Sequence, residues 1–213
     1  MRIRQSARLF AQKLLDPLLD AVRLLSRYCA WAGGAIFFAA ALLITFEVFI
    51  RKVFSASTGG ADELSGYGFA IATAFAFSYA LLERTHIRVD TAYLYLPPLW
   101  QALFDVIAAV LLLVFFALLL RYGWEVVGYA WRMDAHSSTP LHVPLIFPQI
   151  VWWLGLCLTV VVAVLLLLRA VIHILLGELA ASRQLIGTRG LEQEIADELA
   201  ILDDRNIEEQ PHR

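Results

Sequence analysis

The sequence predicts an all-α membrane protein with four transmembrane helices and both termini on the cytoplasmic side. Three observations carry this prediction. The first is a set of four charge gaps. Tyr28–Phe46 and Leu64–Leu82 carry no charged residue, Leu99–Leu120 carries only Asp105, and Ala135–Leu168 contains no Asp, Glu, Lys or Arg. About 20 apolar helical residues cross a bilayer's hydrocarbon core. The second is the distribution of positive charge. Thirteen of the 17 Lys and Arg residues fall in the N-terminal segment, the connection after span two and the C-terminal segment. Positive residues are retained on the cytoplasmic side, so those regions face inward. The third is tryptophan placement. Trp31 and Trp100 sit at predicted inner ends, and Trp124, Trp131, Trp152 and Trp153 at outer ends, as the amphipathic indole prefers. The 60% hydrophobic and 17% charged composition agrees.

The elements follow in order. Residues 1–27 form an N-terminal amphipathic interfacial segment, with no signal-peptide pattern expected. Arg4, Arg8, Gln12, Asp16, Asp20, Arg23 and Arg27 make a polar stripe at helical spacing. Phe10, Leu14, Leu18, Val22 and Leu25 make the opposite face. Asp16 suits a helix cap and Pro17 a first helical position. The alternative is a plain cytoplasmic extension of span one. The transmembrane domain, 28–176, has spans at about 29–50, 63–82, 99–121 and 148–169. Gly33-Gly34 in span one, and Gly68 with four alanines in span two, allow close helix approach. Pro97-Pro98 stops any helix arriving from the 83–98 connection. The remainder, 177–213, is a cytoplasmic tail with an acidic helix near 191–209, which the anionic inner leaflet repels.

Several chemistries fit poorly. Cys29 and Cys157 belong at different depths, so a disulfide is not expected, and both suit packing roles. His86 and His173 could bracket a haem only if His86 left its arginine-flanked position. Glu47 and Asp105 are the acids inside spans, and such residues are functional suspects by default. However, Glu47 sits four residues before Arg51, and Asp105 lies near the inner surface, so structural or subunit-contact roles suit both better. Carriers usually build midplane sites from interrupted helices, and no span here is interrupted. There is no nucleotide-binding glycine pattern. No enzyme activity, cofactor or nucleic-acid partner is expected.

Two motif groups are more specific. One is Arg51-Lys52, Asp62-Glu63 and the run His86-Ile87-Arg88-Val89-Asp90; the other is Leu141-His142-Val143-Pro144 before span four. In this order the chain resembles the small permease (Q-type, DctQ) subunit of TRAP, or tripartite ATP-independent periplasmic, transporters, over about residues 28–175. The resemblance implies a multi-pass subunit of the bacterial inner membrane. It implies a large permease subunit and a periplasmic solute-binding protein as partners, and ion-coupled uptake of an organic acid, with sodium held by the large subunit. Glu47, Arg51, Glu63, His86, Asp90, Asp105 and Pro144 are the candidate structural or subunit-contact residues. The tryptophan that often precedes the acids of span two in that family is missing here. Two alternatives stay open: a four-helix haem b or quinone electron-transfer subunit, and the small subunit of a tripartite tricarboxylate transporter.

Overall fold

A computed structural model of the chain describes residues 15–83 and 97–177, together with residues 13, 185 and 199. Among the described residues it has four long helices: α1 (Asp16–Phe54), α2 (Ala61–Leu82), α3 (Pro98–Arg132) and α4 (Ile146–Leu176). All four are long and apolar enough to span a membrane. The N-terminal residues up to 12, the 84–96 connection with His86 and Asp90, and the acidic 191–198 stretch lie outside the described residues.

The helices outrun the expected spans because a charged residue ends an apolar run but does not end a helix. α1 runs unbroken across residue 27, so over 16–54 the segment expected to lie in the interface and span one form one helix. Pro17 lies at its start, as expected. Asp16 is not the cap. Leu15 holds that position and no side chain caps the helix, while Asp16 forms an ion pair with Arg169 of α4. The buried face of these first turns is Leu15, Leu19 and Ser26, with Val22 packed alongside. Leu18 and Leu25, expected on the apolar face, are exposed because α4 receives the neighbouring stripe. At its 35 residues α3 is about 52 Å long, well beyond a hydrocarbon core of about 30 Å. Its last turns carry the Arg121–Glu125 ion pair at 2.5 Å. Gly177 ends α4 in the left-handed conformation, φ 80°, where an L side chain is strained.

The packing order differs from the chain order. α1 packs on α2, α2 packs on α4, and α4 packs on α3. Only the first turns of α1, through Leu15 and Leu19, join the cluster built on Val162, Leu166 and Ala170 of α4. By backbone proximity the result is a row, α1–α2–α4–α3, and side chains also join α3 to α2, with the Phe77 and Phe116 rings meeting edge-on at 5.3 Å. Small residues set the close crossings. A Cβ on Gly33 of α1 would lie 3.2 Å from the Ala72 carbonyl oxygen of α2. A Cβ on Gly155 of α4 would lie 2.8 Å from the Ala74 methyl. Ala72 and Ala74 are two residues apart, about 200° around the helix, so α2 shows a small face to each neighbour. The α2–α4 crossing adds a hydrogen bond from Thr159 Oγ1 to the Ala74 carbonyl at 3.3 Å. Trp153 Nε1 donates to the Leu120 carbonyl at 2.9 Å and links α4 to α3. On outward faces, Thr45 and Thr73 donate to carbonyls four residues back, which satisfies hydroxyls exposed to an apolar solvent.

Candidate functional site

Both described interhelical loops, 55–60 and 133–145, lie at the same end of the row. Two carboxylates organise that end. α1 carries Glu47 there, seven residues before Phe54, and its side chain is only 2% exposed. One carboxylate oxygen accepts from Arg51 Nη2 at 3.0 Å and Ser57 Oγ at 2.6 Å. The other accepts from the Thr58 backbone N–H at 3.0 Å and Thr58 Oγ1 at 2.6 Å. Arg51 also reaches Asp62 at 3.9 Å, which ties the end of α1 to the start of α2. A buried carboxylate needs this many donors: hydrogen bonds to a charged group contribute roughly 1.5–3 kcal/mol each, and an unpaired buried charge is strongly destabilising. Glu47 therefore folds the 55–60 loop around itself.

Glu63 does the same for the second loop. It sits in the first turn of α2, where the positive end of the helix dipole favours an acid. It accepts from Tyr67 Oη and from Ser137 Oγ, each at 2.5 Å, and from Thr139 Oγ1. The second loop is itself closed by backbone pairing. The Ser137 N–H donates to the Val143 carbonyl and the Leu145 N–H to the Ala135 carbonyl, each at 2.9 Å. Pro144 pairs with His136 in the bridge between them. Proline fits there because the bridge uses its neighbours, the Val143 carbonyl as acceptor and the Leu145 N–H as donor, and never calls on the N–H that proline lacks. A turn at Pro140-Leu141 follows, with the His142 N–H donating to the Thr139 carbonyl at 3.1 Å.

The loops also touch directly. A Cβ on Gly60 would lie 2.1 Å from Leu141 Cδ1, so a larger residue there would force the Leu141 side chain to move. Gly59 lies beside Pro140. The assembly is mechanical, since both acids have their oxygens filled by donors from this chain. Among the described residues no group of His, Cys, Asp and Glu could hold a metal ion.

The sequence-predicted residues divide accordingly. Glu47 and Arg51 form the expected pair, and Glu63 and Pro144 join the same loop end. Asp105 lies apart from them, buried and partnered near the start of α3. His86 and Asp90 fall outside the described residues. Cys29 and Cys157 are free thiols, both partly buried. Sequence reasoning missed Ser57, Thr58, Ser137, Thr139 and Gly60. The available signal was that both loops are rich in hydroxyls, with Ser55, Ser57 and Thr58 in one and Ser137, Ser138 and Thr139 in the other, next to acids that needed donors.

No curated protein and no solved structure matches the chain in comparisons with known proteins. A family model does match it, the DctQ component of the tripartite ATP-independent periplasmic transporters, over residues 40–173. That stretch begins ahead of Glu47, ends within α4 and takes in both loops. With four membrane-spanning helices around the matched core, the chain belongs to the DctQ family, the small permease subunits of TRAP transporters.

Proposed function

We propose that this subunit is the static scaffold of a TRAP transporter for an organic acid. On this reading its termini face the cytoplasm and its two knotted loops face the periplasm of a bacterial inner membrane. The row packs beside the large permease subunit, which carries the solute and the coupling sodium ions. The loop end forms part of the platform on which the periplasmic binding protein lands.

The observation that carries the reading is a small core packed with side chains. A core between these helices filled by side chains such as Phe116, Leu156 and Val162 leaves little room for a solute path, so transport chemistry belongs to a partner. The row also leaves long apolar faces on α1 and α3, including Phe38 and Phe46 on the first and Leu111 and Phe115 on the second. Lipid or another membrane helix can cover these. The knot supports the docking role, because a surface that must present one shape to a soluble partner benefits from loops held at both ends. The 55–60 and 133–145 loops are so held by Glu47 and Glu63.

Deletion of this subunit, with the large subunit expressed alone, is expected to abolish uptake of radiolabelled organic acid while the large subunit still inserts. Full-rate uptake without it would refute the scaffold role.

A further inference from the structure

α1 presents one more stripe, used neither by the helix row nor by the two carboxylates. Arg27, Trp31, Gly34, Ala35 and Phe38 follow one another at helical spacing and, with Tyr79 of α2, line an open groove of about 540 Å³. The groove continues past Arg23 toward the start of α1, where the acids Asp20 and Glu83 line it together with Arg23 and Arg27. We propose that it retains a glycerophospholipid of the adjacent leaflet, with the phosphate on Arg27 and one acyl chain along Gly34, Ala35 and Phe38.

Length, polarity and shape each favour this occupant. From Arg27 to Phe38 the helix rises about 16 Å, and one leaflet contributes about half of a 30 Å hydrocarbon core. Charge lies at one end only, as in a lipid. Arg23 is already paired with Asp20 at 3.5 Å, whereas Arg27 has no ion pair among the described residues. A guanidinium with free donors matches phosphate oxygens two at a time. Trp31, 75% exposed, lies one turn below, at the level where indole meets lipid headgroups. Gly34 is the remaining argument. Glycine weakens a helix interior, so a helical glycine calls for a structural reason. Gly33 has one in its approach to Ala72, but a Cβ on Gly34 would meet nothing within 4 Å. Its missing side chain instead opens the floor of the groove.

The test uses the full chain, purified in detergent, delipidated and examined by native mass spectrometry with two added probes. These are palmitoyl-oleoyl phosphatidylethanolamine and palmitoyl-oleoyl glycerol, which lacks the phosphate. The phospholipid is expected to form a retained one-to-one adduct and the diacylglycerol is not. Arg27→Ala and Gly34→Leu should each lower the bound fraction at least fivefold. Arg27→Lys should keep more of it than Arg27→Ala, and Arg132→Ala, at the other end of the row, should leave it unchanged. Equal retention of both probes, or full retention by Arg27→Ala, would overturn the proposal. A photocrosslinking residue at position 34 provides a second measurement in native membranes that does not depend on purification. Attachment to lipid supports the proposal, and attachment to a protein chain overturns it.

Discussion

The two central helices, α2 and α4, and the two edge helices, α1 and α3, are all apolar enough to span a bilayer, yet they are built differently. Within the most apolar stretch of each helix, 39% of α4 and 28% of α2 is buried in the chain, against 11% for α1 and for α3. The most apolar stretch of the four, in α3, is thus among the least buried. Lipid tails are as apolar as leucine, so apolarity alone gives a helix no reason to prefer protein over bilayer. The central helices are distinguished by small residues at their crossings: Ala72 and Ala74 on α2, and Gly155 with Thr159 on α4. Hydropathy identifies what crosses the membrane, and small residues identify which faces meet inside the chain.

This contrast can be broken at the centre and should be hard to break at the edge. The largest effect is expected from Gly155→Leu. Even its Cβ would lie 2.8 Å from the Ala74 methyl, so the α2–α4 crossing must separate. Thermal unfolding in detergent should show destabilisation of about 3 kcal/mol or more, the upper part of the range for overpacked cores. Glu63→Leu comes next. It removes the acceptor shared by Tyr67, Ser137 and Thr139 and leaves those hydroxyls to find water or nothing. A loss of about 2–3 kcal/mol is expected, together with faster proteolysis of the 133–145 loop. Glu63→Gln should fall between the variant and the native chain, because it keeps an acceptor. Thr159→Val keeps the shape of the crossing and removes the hydroxyl shared between the Ala74 and Gly155 carbonyls, for about 0.5–1.5 kcal/mol in the same assay. Leu111→Ala on the exposed face of α3 should change the stability of the isolated subunit by less than about 0.5 kcal/mol. If it instead matches Gly155→Leu, α3 is packed inside the chain and the row is wrong.

The loop end offers a second, smaller comparison. Glu47 works within about ten residues of itself, on Arg51, Ser57 and Thr58. Its pairing with Arg51 was legible at i, i+4, because helix geometry dictates that neighbourhood. Glu63 reaches Ser137 and Thr139, more than seventy residues away. No local rule connects them; the contact exists because α2 and α4 pack side by side and bring their ends together. The same distinction explains the first turns of α1. The polar and apolar stripes were visible, but which stripe turned inward depended on α4, and the burial fell on Leu15 and Leu19 rather than Leu18 and Leu25.

By itself the sequence determined that four segments cross a membrane, that Pro97-Pro98 starts the third helix and that acids wait at the ends of the first two spans. These are local matters, governed by the transfer of side chains into hydrocarbon and by backbone geometry over a turn or two. Family membership was also legible, in the order and spacing of the residues that edge the spans. Only the tertiary structure decided the row order α1–α2–α4–α3, the filling of the two carboxylates from separate loops and the groove beside Gly34. Each depends on which helix faces stand next to one another, and in a bilayer that choice follows from close packing and hydrogen bonding between distant segments, to which an apolar count is blind.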